Sequence, residues 1–296
     1  MKVRFWGVRG SIPVPGPKTV RYGGNTTCIE VRTSDDQLII LDAGTGIYQL
    51  SRSLLPELPI TAHIFNTHTH WDHIQGLPFF IPLFVPDNKV HIYGGFEPVS
   101  GQPIDEVLSA QLQYRFFPVR EAELLSEITY HTLHEHESVQ IGNATITLVL
   151  MNHPVINFGY RIDDQGKSMF FTGDHEVPLN IYDPEDEEYE IYQQMLNSRE
   201  QGIIDTIKDV DLLIADAAYT EEEYPQKKGW GHGTFNSSIR LGQQAGARKV
   251  CLTHHEPSRD DDSLEKVFAE ALHDCKAIDS DSPEYLLAHE GLIIEL

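Results

Sequence analysis

The sequence predicts an α/β protein whose β-sheets are covered by helices. Three observations predict it. Short β-type runs recur along the chain, helical periodicity fills the stretches between them, and 296 residues suffice to bury a sizeable core. Strands cluster early and alternate with helices late, a mixture unlike a repeat array or a coiled coil. Residues 1–296 are read as one domain.

Runs rich in β-branched and other apolar residues predict strands at 3–6, 28–33, 38–41, 60–65, 145–150, 168–171, 212–215, 249–252 and 292–295. Apolar positions at helical spacing predict helices at 47–55, 105–113, 188–198, 237–245 and 263–275. Residues 78–137 read as an irregular connection, rich in proline and aromatics such as Phe79, Phe80, Phe84, Tyr93, Tyr114, Phe116 and Phe117. Such a segment either lines a pocket or packs as ordinary core. The acidic DPEDEEYE at 183–190 reads as a solvated helix start, since carboxylates suit a helix N-terminus.

Lysine plus arginine number 22 against 45 aspartates plus glutamates, a net charge of −23. That balance opposes docking on polyanions, so neither a long nucleic acid nor an anionic membrane surface is expected as a partner. A small anionic substrate stays open, because bound cations invert the local field of an acidic chain. The opening MKVRFWGVRGS alternates like a strand and lacks the apolar core and cleavage site of a signal peptide. No run approaches the roughly 18 apolar residues of a membrane helix. Three cysteines, Cys28, Cys251 and Cys275, are an odd and sparse set, as expected of reduced thiols in a cytoplasmic protein.

The strongest chemical signal is THTHWDHIQGLPFF at 67–80, directly after an apolar run. Residues two apart on extended chain project to one side, so His68 and His70 can grip one ion. Asp72 and His73 follow where the chain turns and offer a second grip. Several imidazoles with few carboxylates and no thiolate favour zinc, with manganese or iron as alternatives. Further donors belong at other strand ends, where open α/β sheets place function. His153 follows TITLVLMN, Asp174 ends SMFFTGD, and His254 and His255 follow KVCLT. A carboxylate such as Asp174 can bridge two cations. The trio His131, His134 and His136 shows alternating spacing without companion donors, and no metal is expected there.

HTHWDH, NHP, TGD and LTH, in this order and each after a strand, resemble the metallo-β-lactamase fold over nearly the whole chain. The resemblance implies an αββα sandwich of two mixed sheets flanked by helices, with a two-metal site between the sheets. It places His68, His70 and His153 on one metal and Asp72, His73 and His254 on the other, with Asp174 bridging. His254 is preferred to His255 as the first histidine after its strand. Asp42, in LIILDAGTG, matches the family's early aspartate, which orients ligands.

LLIADAAYTEEEYPQKKGWGHGTF resembles the tRNA 3′-processing endonucleases (RNase Z) and related cyclic-nucleotide phosphodiesterases, and so does the opening FWGVRGSIPVPGP with YGGNTTC. This likeness makes Asp216 and His232 catalytic candidates: an imidazole polarised by a carboxylate suits protonation of a departing alkoxide. It implies two-metal hydrolysis with Asp72 assisting as a base. No basic glycine-rich arm for tRNA is found, so a small phosphodiester such as a 3′,5′-cyclic nucleotide is the expected substrate. Tyr114, Phe116 and Phe117 are candidates to stack a base and Arg115 to reach phosphate. The alternatives are a glyoxalase-II-like thioester or lactone hydrolase, a tRNA 3′-processing endonuclease and a non-enzymatic metal-stabilised binding module. Family members are often homodimers.

Overall fold

The computed structural model describes residues 1–277 and 282–296. The first half of the chain forms β1 (Lys2–Gly7), β2 (Cys28–Arg32), β3 (Leu38–Leu41), β4 (Thr61–Phe65), β5 (Lys89–Gly95) and β6 (Glu127–Leu133). The second half forms β7 (Ser138–Ile141), β8 (Ala144–Leu150), β9 (Phe158–Asp164), β10 (Lys167–Phe171), β11 (Leu212–Asp216), β12 (Lys249–Thr253), β13 (Glu284–Leu287) and β14 (Ile293–Glu295). These make two seven-stranded mixed sheets, ordered β14-β1-β2-β3-β4-β5-β6 and β13-β12-β11-β10-β9-β8-β7. In the first, β3 to β6 run parallel and the rest antiparallel; in the second, β10 to β13 are the parallel set.

The two-residue period of the strands explains why the sheets stack. Ile39 and Leu41 face inward to a core shared with Ile146, Tyr160, Met169, Phe171 and Ile214 of the other sheet. Leu38 and Ile40 face outward, where α1 (Gly46–Ser53) covers them with Ile47 and Leu50. All four residues of β3 are therefore buried, which is why a parallel strand reads as an unbroken apolar run. On the opposite outer face, Leu213, Val250 and Leu252 lie under Ile203 and Ile207 of α4 (Tyr189–Ile207), Phe235 and Ile239 of α5 (Phe235–Ala245), and Leu264 of α6 (Asp261–Asp274). The layers are helix, sheet, sheet, helix, as expected. Two short helices complete the chain's first half, α2 (Trp71–Ile74) and α3 (Ile104–Ser109).

The reading of 78–137 as irregular is corrected: it contains β5 and β6, which finish the first sheet. Their patterns, KVHIYGG and EITYHTL, interrupt the apolar alternation with histidines, glycines and a lysine, so propensity understated them. Three further strands, β7, β9 and β13, went unread for similar reasons, and α4 extends well past the expected 198. The acidic run at 183–190 leads into α4 as exposed turns. Cys28, Cys251 and Cys275 are free thiols. Among the described residues no helix is long and apolar enough to cross a membrane.

Candidate metal centre

Six strands deliver chemistry to one end of the sandwich. β3 ends before Asp42, β4 before Asn66 to His73, β8 shortly before His153, β10 before Asp174 and β12 before His254, while β11 ends on Asp216. Parallel strands share a direction, so their C-terminal loops meet at one edge, where such sheets gather function. Asp72 and His73 lie in the single turn of α2, whose Ile74 is anchored in the outer core.

Three donor groups result, each with ligand atoms within 4.8 Å of one another: His68, His70, His153 and Asp174; Asp72, His73, Asp174 and His254; and Asp174, Asp216, His232 and His254. Asp174 is common to all three. The seven residues expected as ligands thus come together, and the catalytic candidates Asp216 and His232 stand at the same spot. His254 turns its Nε2 into the cluster, 3.2 Å from both Asp72 and Asp174. His255 turns away, its Nε2 donating to the Ala288 carbonyl at 2.8 Å.

Hydrogen bonds assign the ring protons. Asp42 Oδ2 accepts from His73 Nδ1 at 2.7 Å, which leaves a lone pair on Nε2. The Gly231 carbonyl accepts from His153 Nδ1 at 3.0 Å, which does the same there. His73 Nε2 faces oxygens of Asp72 and Asp174, each at 3.3 Å, so in the neutral ring acceptor would confront acceptor. His68 Nε2, Asp174 Oδ1, Asp216 Oδ1 and His254 Nδ1 are buried with no hydrogen-bond partner among the described residues. Buried polar atoms ordinarily find partners, and a converging set of lone pairs is satisfied by cations. The residues present fit divalent metals.

The protein's own charges divide the histidines of the cluster. Burial lowers the His153 imidazole to about 4, keeping it neutral and able to ligate. Burial acts the same way on His73, but the carboxylates of Asp174, Asp72 and Asp42 outweigh it and raise that group well above its usual range. Burial pushes the Asp72 carboxyl up, yet His73 and His254 hold it far below the usual carboxylate range. His232 feels burial downward and Asp174 and Asp216 upward, ending at about 9 from the protein's own charges. Its Nδ1 lies 3.1 Å from Asp216 Oδ2.

The glycine-rich opening loop also lies here, as the sequence suggested. Ser11 N–H donates to Asp72 Oδ2 at 2.6 Å, and a Cβ on Gly10 would run into the His254 ring. Asp42 and His254 both sit at positive φ, 63° and 59°, a conformation that side chains rarely adopt and that clusters at functional sites. The trio is dispersed: His131 stacks on Tyr93, His134 lies against Phe96, and His136 is exposed in a turn. Tyr114 and Phe116 are exposed at 73% and 70%, and Phe117 sets its edge to Phe79. Sequence reasoning missed Glu176, a buried carboxylate beside the cluster. Its partners lie some fifty residues away, and no local spacing marks it.

Comparison with known proteins matches residues 37–255 to the family described as the Beta-lactamase superfamily domain. A ribonuclease Z of Haloarcula marismortui is 23% identical, spanning 99% of this chain and 96% of its own. The metallo-β-lactamase fold protein YhfI from Bacillus subtilis superposes with a TM-score of 0.68 at 21% identity, covering 100% of this chain and 98% of its own. A diphosphatase from the PhnP family superposes with a TM-score of 0.66 at 17% identity, covering 100% and 97%.

Proposed function

The chain belongs to the Beta-lactamase superfamily domain family and carries the metallo-β-lactamase fold, and from that premise we propose that it is a metal-dependent phosphodiesterase acting on a small phosphodiester such as a 3′,5′-cyclic nucleotide. The observation that carries this reading is the Asp216–His232 pair, 3.1 Å apart and in reach of the ligand cluster. Hydrolysis of a phosphodiester breaks a P–O bond and releases an alkoxide that needs a proton, whereas a thiolate released from a thioester does not. The names of the relatives, a ribonuclease and a diphosphatase, support phosphorus chemistry over thioester or lactone hydrolysis.

His68, His70 and His153 would hold one divalent ion and Asp72, His73 and His254 the other, with Asp174 reaching both. Zinc suits the donor set best, with manganese or iron as alternatives. When bound, such ions lower the pKa of water toward ~7 and stabilise charge developing on phosphoryl oxygens. Asp42 and the Gly231 carbonyl hold the proton on Nδ1 of His73 and His153, so each presents Nε2. In this reading Asp72 would assist as a base toward the attacking water. Asp216 holds His232 Nδ1–H, which orients the ring to deliver a proton from Nε2 to the leaving ribose oxygen.

His232→Ala is expected to lower kcat on a cyclic mononucleotide by about 10²- to 10⁴-fold with zinc content unchanged. Bis(p-nitrophenyl) phosphate, whose leaving group needs little protonation, should suffer far less. Unchanged turnover of the cyclic nucleotide would remove His232 from this role. The ribonuclease Z relatives favour a second reading, cleavage of precursor tRNA, which the −23 charge opposes. Precursor tRNA and a thioester in the same panel separate the three.

A further inference from the structure

Glu176 is 3% exposed, and its two carboxyl oxygens accept hydrogen bonds. Three donors converge on it, each at 2.8 Å: Tyr224 O–H and Gly229 N–H on Oε1, and Gly231 N–H on Oε2. Its backbone is tied as well, with Glu176 N–H donating to Asn152 O at 3.0 Å and Asn152 Nδ2 donating to Glu176 O at 2.9 Å. One residue thus joins three loops, those bearing His153, Asp174 and His232. Gly229 and Gly231 both have positive φ, 82° and 88°, and a Cβ on Gly231 would strike the His153 ring. The Gly231 carbonyl accepts from His153 Nδ1, and the next residue is His232.

We propose that Glu176 is a positioning residue which, by holding Gly229 to Gly231, aims the His153 ring at the metal cluster and sets His232 beside Asp216. The proposal rests on reading the cluster as the active centre. A carboxylate suits this place because all three neighbours are donors; an amide would present its own N–H₂ to at least one of them. The short loop it pins carries Trp230, 56% exposed, with Lys227 Nζ 4.1 Å from its ring centroid, so the pinned backbone also fixes an aromatic beside His232.

The test uses the full chain and zinc alone as the metal probe. Glu176→Gln and Glu176→Ala are expected to fold, to bind zinc about 10- to 100-fold more weakly, as when a ligand's supporting partner is lost, and to lose hydrogen-exchange protection at Gly229 and Gly231. On a cyclic nucleotide with zinc saturating, kcat should fall while KM stays near the wild-type value. Glu223→Gln serves as control: it contacts Thr220 and Arg259 and should keep wild-type zinc affinity. Wild-type zinc affinity and amide protection in Glu176→Gln would overturn the proposal, as would a lowered Tm with zinc affinity unchanged. If the Glu176 variants fail to fold, Tyr224→Phe decides, since losing one of the three bonds should weaken zinc by about 2- to 10-fold; unchanged affinity overturns the proposal. If the wild type turns over no phosphodiester, the functional reading falls, while zinc affinity and exchange still judge Glu176.

Discussion

At the scale of single residues, Asp42 shows how one carboxylate organises a centre without belonging to it. Its Oδ1 accepts Thr67 N–H at 2.7 Å, both oxygens lie 3.0 Å from Thr67 Oγ1, and Oδ2 takes His73 Nδ1–H. Asp42→Asn replaces an acceptor by a donor against one of these groups, so the ring of His73 loses either its orientation or its tautomer. Zinc affinity is expected to drop about 10- to 100-fold, read by competitive titration against a chromophoric chelator; wild-type affinity would dismiss the orienting role. The cluster residues of 68–73 were legible because their spacing is local. His153, Asp174 and His254 were legible from their places after strands together with a family likeness. Glu176 was not, because a lone glutamate acquires meaning only from donors that the fold brings to it.

At the scale of elements, β4 to β6 carry a histidine patch that local sequence could not reveal. His63 stacks on His91 with ring centroids 4.9 Å apart, and His91 Nδ1 lies 3.3 Å from His131 Nε2. The three come from strands the register sets side by side, two of which were unread. Burial, helped by His91 and His131, lowers His63 to about 4. A histidine depressed in the folded state but ordinary when unfolded, at ~6.5, costs no stability at neutral pH. Stability is lost as pH falls from ~6.5 to about 4, because the unfolded chain binds the proton first. With metal removed by chelator, the Tm of the wild type should fall more between pH 7 and pH 4.5 than that of His63→Gln. Parallel acid limbs in the two proteins would refute this. The expected strands at the centre of each sheet were found because buried parallel strands are apolar on both faces. β5, β6 and β9 were missed because parts of each are only half covered, on both faces in β6, so polar residues enter the pattern.

At the scale of the whole molecule, metal, charge and stability are coupled. His68 Nε2, Asp174 Oδ1 and His254 Nδ1 are buried without a hydrogen-bond partner among the described residues, so a metal bound only by the folded chain should stabilise it. Free zinc at 100 times its Kd should add about 2.7 kcal/mol, so Tm is expected to rise with zinc concentration and fall with chelator. A Tm indifferent to both would contradict the fit of metals to this centre. The sequence by itself determined the α/β class, the central strands and the net charge of −23, and it named the candidate donors of 68–73, because hydrophobic period, composition and close spacing are local properties. Only the tertiary structure decided that donors from five strand ends converge on Asp174, that His254 faces inward while His255 faces Ala288, and that Glu176 ties their loops together. Those facts depend on which strands pair and on where the backbone turns after each. Both are set by packing two sheets over one core.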